Sequence, residues 1–241
     1  MNKFILNCFV GCSLISTSLF AGTYSNSENM SSDREYLGLA GFSASSASNY
    51  GYLGLITTLD DNKLSQDGIK LRLWAYRSEY DYDNTNLGNI EVDGFGTSAS
   101  LGYRFTYEDI VSTFYAGVAA QDIASNPSDN SNETDEDTFG GVFSYELQKA
   151  ELFAGIGLST IANYETFGES YWVRVRPSYD LLGLTVGPEY ISTAGEEWDQ
   201  QRFGAYVSGF DVKGLTVGIN AGLEKDNAER FYSGISLSKN F

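Results

Sequence analysis

The last twelve residues, Arg230 to Phe241, run RFYSGISLSKNF and stop on an aromatic. Counted back in steps of two, Lys239, Leu237, Ile235, Ser233 and Phe231 share one face, and Asn240, Ser238, Ser236, Gly234 and Tyr232 the other. Successive side chains of a strand point to opposite faces, so this stretch is a strand with one mostly apolar and one small, polar face. A soluble strand can show the same period. A terminal strand ending in Phe is also the form in which outer-membrane barrels close and are recognised for assembly, which makes Phe241 the candidate assembly signal.

If that reading holds, the chain must supply a barrel of similar strands. Twelve are expected, at about 36–44, 49–57, 68–78, 93–105, 109–121, 138–147, 150–161, 168–179, 183–191, 200–209, 214–223 and 230–241. Most are near the 9 to 11 residues with which a tilted strand crosses a bilayer. Alternation is strong in several: Leu215, Val217, Ile219, Ala221 and Leu223 oppose Thr216, Gly218, Asn220 and Gly222. Likewise Phe95, Thr97, Ala99, Leu101, Tyr103 and Phe105 oppose Gly96, Ser98, Ser100, Gly102 and Arg104. A lipid-facing wall has this pattern, and so does a soluble sandwich with its apolar face in the core.

The connections favour the barrel. Tight turns are expected at Thr106–Glu108, Gln148–Lys149, Asp180–Leu182 and Asp211–Lys213, with longer or more polar loops between them at 122–137, 162–167, 192–199 and 224–229. Outer-membrane barrels have short periplasmic turns and longer outer loops, so the short turns are assigned to the periplasmic side. The segment Thr58 to Asp67 breaks this rule, being long where a short turn belongs. The fold expected is thus all-β: a closed antiparallel transmembrane barrel of about 12 strands.

The chain opens MNKFILNCFVGCSLISTSLFA, with Lys3 ahead of an apolar stretch and small residues before Ala21. This reads as a signal peptide over 1–21; Asn7, Gly11 and the Ser/Thr run from 16 to 18 interrupt it well short of the ~20 residues of a membrane helix. Residues 22–35 are expected as a flexible periplasmic lead-in and 36–241 as the barrel. Both cysteines, Cys8 and Cys12, lie in the segment to be removed, leaving no thiol chemistry. The formal charge of −17 repels nucleic acid, which is excluded as a partner.

Catalytic options are few. The chain has no histidine, so a His-activated serine or water is unavailable, and a zinc site lacks ligands. A carboxylate pair, Glu189 with Glu146, is the one hydrolase option, since glycoside hydrolysis needs only an acid and a base or nucleophile. The chain is read as a non-enzyme with no cofactor. In the loop from Ser125 to Asp137, Asp129, Asp135 and Asp137 are weak metal candidates, because the EF-hand spacing with its central Gly is missing.

Placing the apolar faces outward turns Lys70, Arg72, Trp74 and Tyr76 into the lumen from one strand and Trp172, Arg174 and Arg176 from another, joined by Arg104, Arg202, Arg230, Glu146 and Glu189. Lipid accepts a charge near midplane only at a cost of about 2 to 4 kcal/mol, which favours this register. Two readings of such a lumen stay open. One is a network of Arg against Glu and Tyr that fills a narrow barrel. The other is a path for polysaccharide, with Lys70, Arg72, Trp74, Arg104, Glu146, Trp172, Arg174, Arg176, Glu189 and Arg202 as contacts, the aromatics offering flat faces to sugar rings.

The stretches Asn49-Tyr50-Gly51-Tyr52-Leu53-Gly54, Asp67-Gly68-Ile69-Lys70-Leu71-Arg72-Leu73, Tyr80-Asp81-Tyr82 and Gly187-Pro188-Glu189-Tyr190 together resemble the cellulose biosynthesis protein BcsS family, over about Arg34 to Phe241. The resemblance implies an outer-membrane protein of Gram-negative bacteria that accompanies a cellulose synthase, with export or anchoring of the glucan chain as its task and no catalytic motif to carry over. The alternative is a plugged structural barrel whose acidic loops hold polymer or partners. Expected partners are outer-membrane lipid and lipopolysaccharide, the barrel-assembly machinery, cellulose or another exopolysaccharide, and components of the synthase complex.

Overall fold

In a computed structural model of the protein, residues 35–60, 62–84, 88–126, 138–195, 198–225 and 229–241 are described, without the side chains of 82–84 and 198. The signal segment, all of the lead-in except Glu35, and Asp129, Asp135 and Asp137 lie outside these residues.

Twelve strands form one closed sheet: β1 (Tyr36–Ser45), β2 (Ser48–Thr58), β3 (Gly68–Asn84), β4 (Gly88–Tyr107), β5 (Ile110–Asn126), β6 (Thr138–Phe153), β7 (Ile156–Glu165), β8 (Ser170–Leu181), β9 (Leu184–Gly195), β10 (Trp198–Val212), β11 (Leu215–Lys225) and β12 (Glu229–Asn240). Each pairs antiparallel with its sequence neighbours, and β1 pairs with β12 in the register Leu37↔Asn240 to Ser45↔Tyr232. Closure leaves no sheet edge, as a membrane requires of a barrel. The terminal residue completes the seam: Phe241 donates its N–H to the Tyr36 carbonyl at 2.9 Å and accepts from Glu35 N at 3.2 Å.

The alternation read from the sequence becomes inside and outside. On β4, Phe95, Leu101, Tyr103 and Phe105 are exposed, while Ser98, Ser100 and Arg104 are buried. From Phe105 to Phe95 the strand rises about 33 Å, which at a tilt of about 45° makes an apolar belt about 23 Å tall, close to the height of the apolar band of outer-membrane barrels. Above it the outward face turns charged: Arg77 pairs with Glu79 at 3.0 Å and with Asp93 at 2.5 Å.

Four connections at one end are two-residue turns, at Glu108–Asp109, Ala154–Gly155, Leu182–Gly183 and Lys213–Gly214. The first residue of each has φ between 48° and 57°, and the Gly that follows in three of them has φ of 77° to 83°. Two successive left-handed residues are what a type I′ hairpin turn demands, because its twist matches that of the strands. This corrects the expected turn at Gln148–Lys149. β6 runs on to Phe153, with Lys149 paired to Leu158 and a register shift before Phe153, and the chain reverses where Gly155 permits the turn. Residues 150–153 thus belong to β6, and β7 starts at Ile156.

The strands also extend over residues expected as loop. β3 and β4 pair up to Asn84↔Gly88, and β11 and β12 to Lys225↔Glu229. A short 3-10 turn, Phe167–Glu169, precedes β8.

Candidate functional site: the barrel lumen

The lumen is where the polar residues of the alternating strands converge. Lys70, Arg72, Trp74 and Tyr76 on β3, Arg104 on β4, Glu146 on β6, Trp172, Arg174 and Arg176 on β8, Glu189 on β9 and Arg202 on β10 all point inward and are buried. Arg230 points the same way from the start of β12 and keeps its side chain 26% exposed. One hydrogen-bonding row of the sheet carries many of the charges: Arg104↔Thr113↔Glu146↔Ile161↔Arg174↔Ile191↔Arg202↔Glu224↔Arg230. Because the strands tilt, such a row climbs around the wall, so cations and carboxylates follow one another along a spiral.

Three carboxylates, two of them in this row, hold the cations of the lumen. Glu189 is the most heavily engaged: Arg176 holds one oxygen through two nitrogens, while Asn220 donates to the other at 2.7 Å and the Tyr232 hydroxyl at 3.1 Å. Glu224 accepts from Arg202 at 2.8 Å and from the Ser45 hydroxyl at 3.3 Å, with Arg230 3.9 Å away. Glu146 meets Arg72 at 3.4 Å, and Arg72 also donates to the Ser144 hydroxyl at 2.5 Å, which bonds in turn to Asn163. The guanidinium groups lie over aromatic faces as well, Arg72 over Tyr115 at 4.3 Å and Arg176 over Tyr206 at 4.4 Å. A cation desolvated against a ring face gains attraction that water would otherwise weaken.

The aromatic residues on the opposite wall are set by glycines. Tyr52 faces Gly41, Trp74 faces Gly54, Tyr76 faces Gly96 and Tyr115 faces Gly102 across the strands. A Cβ on Gly54 would stand 2.2 Å from the Trp74 ring, and one on Gly41 would stand 2.3 Å from Tyr52. Each ring therefore lies over bare backbone where any other residue would push it off. Tyr52 and Trp74 stack with centroids 4.8 Å apart, and both belong to a buried cluster that includes Leu37, Leu39, Ile161 and Trp172.

A water-filled channel wets its own wall. Here the inward side chains of β3, β8 and β9 are buried at successive levels, Arg72 to 1% exposure. Near the end with the tight turns, a void bounded by Ile56, Leu64, Lys70, Arg104, Tyr115 and Glu146, among others, measures about 20 Å³, room for one water. Several inward positions of β11 and β12 are small, and Thr216, Asn220, Ser236 and Ser238 among them are half-buried. The described lumen is filled by its own side chains.

Sequence reading missed several members of the network. Tyr232 already stood on the small, polar face of the last strand, and Glu224 continues the inward series Thr216, Gly218, Asn220, Gly222; ending the strand at 223 hid it. Tyr115, Tyr206, Ser144 and Asn163 carried no signal beyond alternation. Glu146 and Glu189 are each bound into separate ion pairs.

Among solved structures, the chain resembles an outer-membrane channel from Pseudomonas putida F1 at 13% identity, covering 86% of this chain and 96% of that one with a TM-score of 0.58. It resembles the transport unit of the autotransporter AIDA-I from Escherichia coli at 8% identity, 89% and 92% coverage and a TM-score of 0.53. It also resembles the KdgM porin solved with disordered oligogalacturonate, at 10% identity, 85% and 99% coverage and a TM-score of 0.51. At such identities the likeness is one of fold: the closed barrel of outer-membrane proteins. No curated protein sequence matches the chain. The family described as cellulose biosynthesis protein BcsS matches residues 38–241, so nearly the whole barrel is covered, and the chain belongs to that family.

Proposed function

We propose that this protein sits in the outer membrane of a Gram-negative cell as a closed barrel of the cellulose-producing machinery, and that it anchors the glucan chain or its synthase there rather than conducting the polymer through its lumen. The observation that carries this reading is the filled lumen. A glucan in transit needs a continuous path at least a sugar ring wide, whereas the ion pairs Arg72–Glu146, Arg176–Glu189 and Arg202–Glu224 lie buried inside the barrel. Opening such a path means separating buried ion pairs, each at a cost of about 3 to 5 kcal/mol when a charge is left unpaired.

Family membership supplies the link to cellulose, and the apolar belt with its charged upper rim supplies the link to a membrane. The tight type I′ turns would face the periplasm and the tall β3–β4 hairpin the outside, as in barrels of this type. The test is a deletion strain of the source bacterium, complemented with the intact gene. Anchoring gives normal cellulose synthesis with polymer shed into the medium. Cellulose held back in the periplasm would show instead that the barrel is the exit.

A further inference from the structure

Two of the chain's three prolines face each other across the wall. Val175 pairs with Tyr190 and Tyr179 with Val186, which sets Pro177 on β8 opposite Pro188 on β9. Between these pairs the ladder is broken: residues 176–178 and 187–189 do not pair with one another, although each stays paired with β7 or β10 on its other side. Among the described residues, the other seams are interrupted only by register shifts near the tight turns. Bonded and non-bonded pairs alternate along an antiparallel ladder, and proline has no N–H to donate. Two prolines opposed at a bonded position remove both bonds of that pair, and the positions on either side lose their support with them. A break three residues long is the result.

The gap lies within the apolar belt. Pro177 stands four residues above Leu181, the end of β8, whereas Phe105, at the foot of the belt, stands two above Tyr107, the end of β4. Hydrocarbon offers no water to replace a missing donor, so the wall must be held from within. The side chains behind the gap are placed to do this. Arg176 and Glu189 flank the two prolines on the inward face, and their buried ion pair crosses from β8 to β9 at the level of the break. The Tyr206 hydroxyl, from β10, donates to the Pro177 carbonyl over a long 3.5 Å. Tyr206 pairs across the strands with Gly187, where a Cβ would collide with that carbonyl oxygen. Arg176 rests on the Tyr206 ring at 4.4 Å, and Glu189 is tied further to Asn220 on β11 and Tyr232 on β12.

We propose that Arg176, Glu189 and Tyr206 form a clasp that takes over from the ladder where Pro177 and Pro188 interrupt it, so that the local strength of the β8–β9 seam is set by side chains in the lumen. The ion pair then has a task besides filling the barrel: it holds together two strands whose backbones do not bond at this level. This role needs neither glucan nor partner, so it stands or falls separately from the anchoring function.

The test is amide hydrogen exchange on the full chain refolded in lipid nanodiscs. The amides of Val175, Tyr179, Val186 and Tyr190, in the pairs that flank the gap, report the seam, and those of Ala99 and Val118 on the unbroken β4–β5 seam serve as reference. Arg176→Met with Glu189→Gln removes both charges together. It quickens exchange at the four flanking amides at least about tenfold and leaves the reference amides within about twofold. Tyr206→Phe quickens the flanking amides severalfold. Both variants are then repeated in a chain carrying Pro177→Ala and Pro188→Ala, which returns both N–H groups to the ladder. There the ion-pair variant changes flanking exchange by less than about threefold, and Tyr206→Phe leaves it unchanged. Pro188→Ala alone restores a donor to the Pro177 carbonyl and is enough to silence Tyr206→Phe. Equal losses with and without the prolines would overturn the clasp, because the pair would then act irrespective of the gap. Flanking exchange that ignores the ion-pair variant in the parent chain would overturn it as well.

Discussion

Changing Glu189 to Gln tests whether the lumen is dry. Glu189 is 2% exposed and its oxygens take donors from Arg176, Asn220 and Tyr232. Gln is nearly isosteric, so packing is kept while the negative charge is lost and Arg176, itself 4% exposed, is left as an uncompensated cation. In a dry interior, breaking a buried pair on one side costs about 3 to 5 kcal/mol, or about two to four decades in the unfolding equilibrium. In a water-filled channel the same pair would behave as a surface one, worth about 0 to 1 kcal/mol. The two cases differ by more than the error of denaturant unfolding in lipid vesicles, followed by the fluorescence of the buried Trp74 and Trp172. The matched double variant Glu189→Gln with Arg176→Met removes the orphaned charge and recovers most of the loss, as expected when the cost lies in the unpaired ion. A single variant within about 1 kcal/mol of the parent protein would refute the filled lumen.

Other consequences can be checked in the same assay. Gly54→Ala brings a Cβ within 2.2 Å of the Trp74 ring, so it destabilises by about 1 to 3 kcal/mol, and Trp74→Leu in the same chain relieves most of it; additive effects would show that the ring does not lie over Gly54. Leu101, 55% exposed on the belt of β4, becomes costly as Arg, by about 2 to 4 kcal/mol if it faces hydrocarbon; a neutral substitution would remove β4 from the lipid face. The Thr106 hydroxyl beside Asp67 holds that carboxyl below the ordinary carboxylate range. A depressed folded-state pKa gives stability that is present above the unfolded value and lost as pH falls through the folded one. Amide protection across the β2–β3 loop, corrected for intrinsic exchange, should therefore fall only below about pH 4, the ordinary range of Asp, and Asp67→Asn should reduce that pH dependence, with Asp60, also held low and bonded to the Ile69 amide, carrying the rest.

The barrel was legible because its determinants are local and periodic. Alternation along β4, β11 and β12 assigns inside and outside with no knowledge of partners, and the cost of charge in lipid fixes which face is which. That is why Lys70, Arg72, Arg174, Arg176 and Glu189 could be placed in the lumen from the sequence. Strand ends were harder, since pairing continues wherever a neighbour offers hydrogen bonds. Lys149 carries a polar side chain yet sits in β6, and Ala154 with Gly155 supplies the turn. Partners inside the lumen were harder still. Glu189 and Tyr232 are far apart in sequence and meet because the curved wall turns the inward faces of β9 and β12, separated by β10 and β11, toward each other. The inward fold of Leu64 depends on the room left between Ile56 and Lys70, which alternation does not encode.

The most direct measurement of the central claim is single-channel conductance of the refolded barrel in a planar bilayer, with cello-oligosaccharides added on either side. A filled lumen predicts no channel steps from protein whose folding is shown independently, and no effect of the sugar. Regular steps that cello-oligosaccharides block transiently, and block less in Trp172→Ala, would contradict it and make the lumen a glucan path.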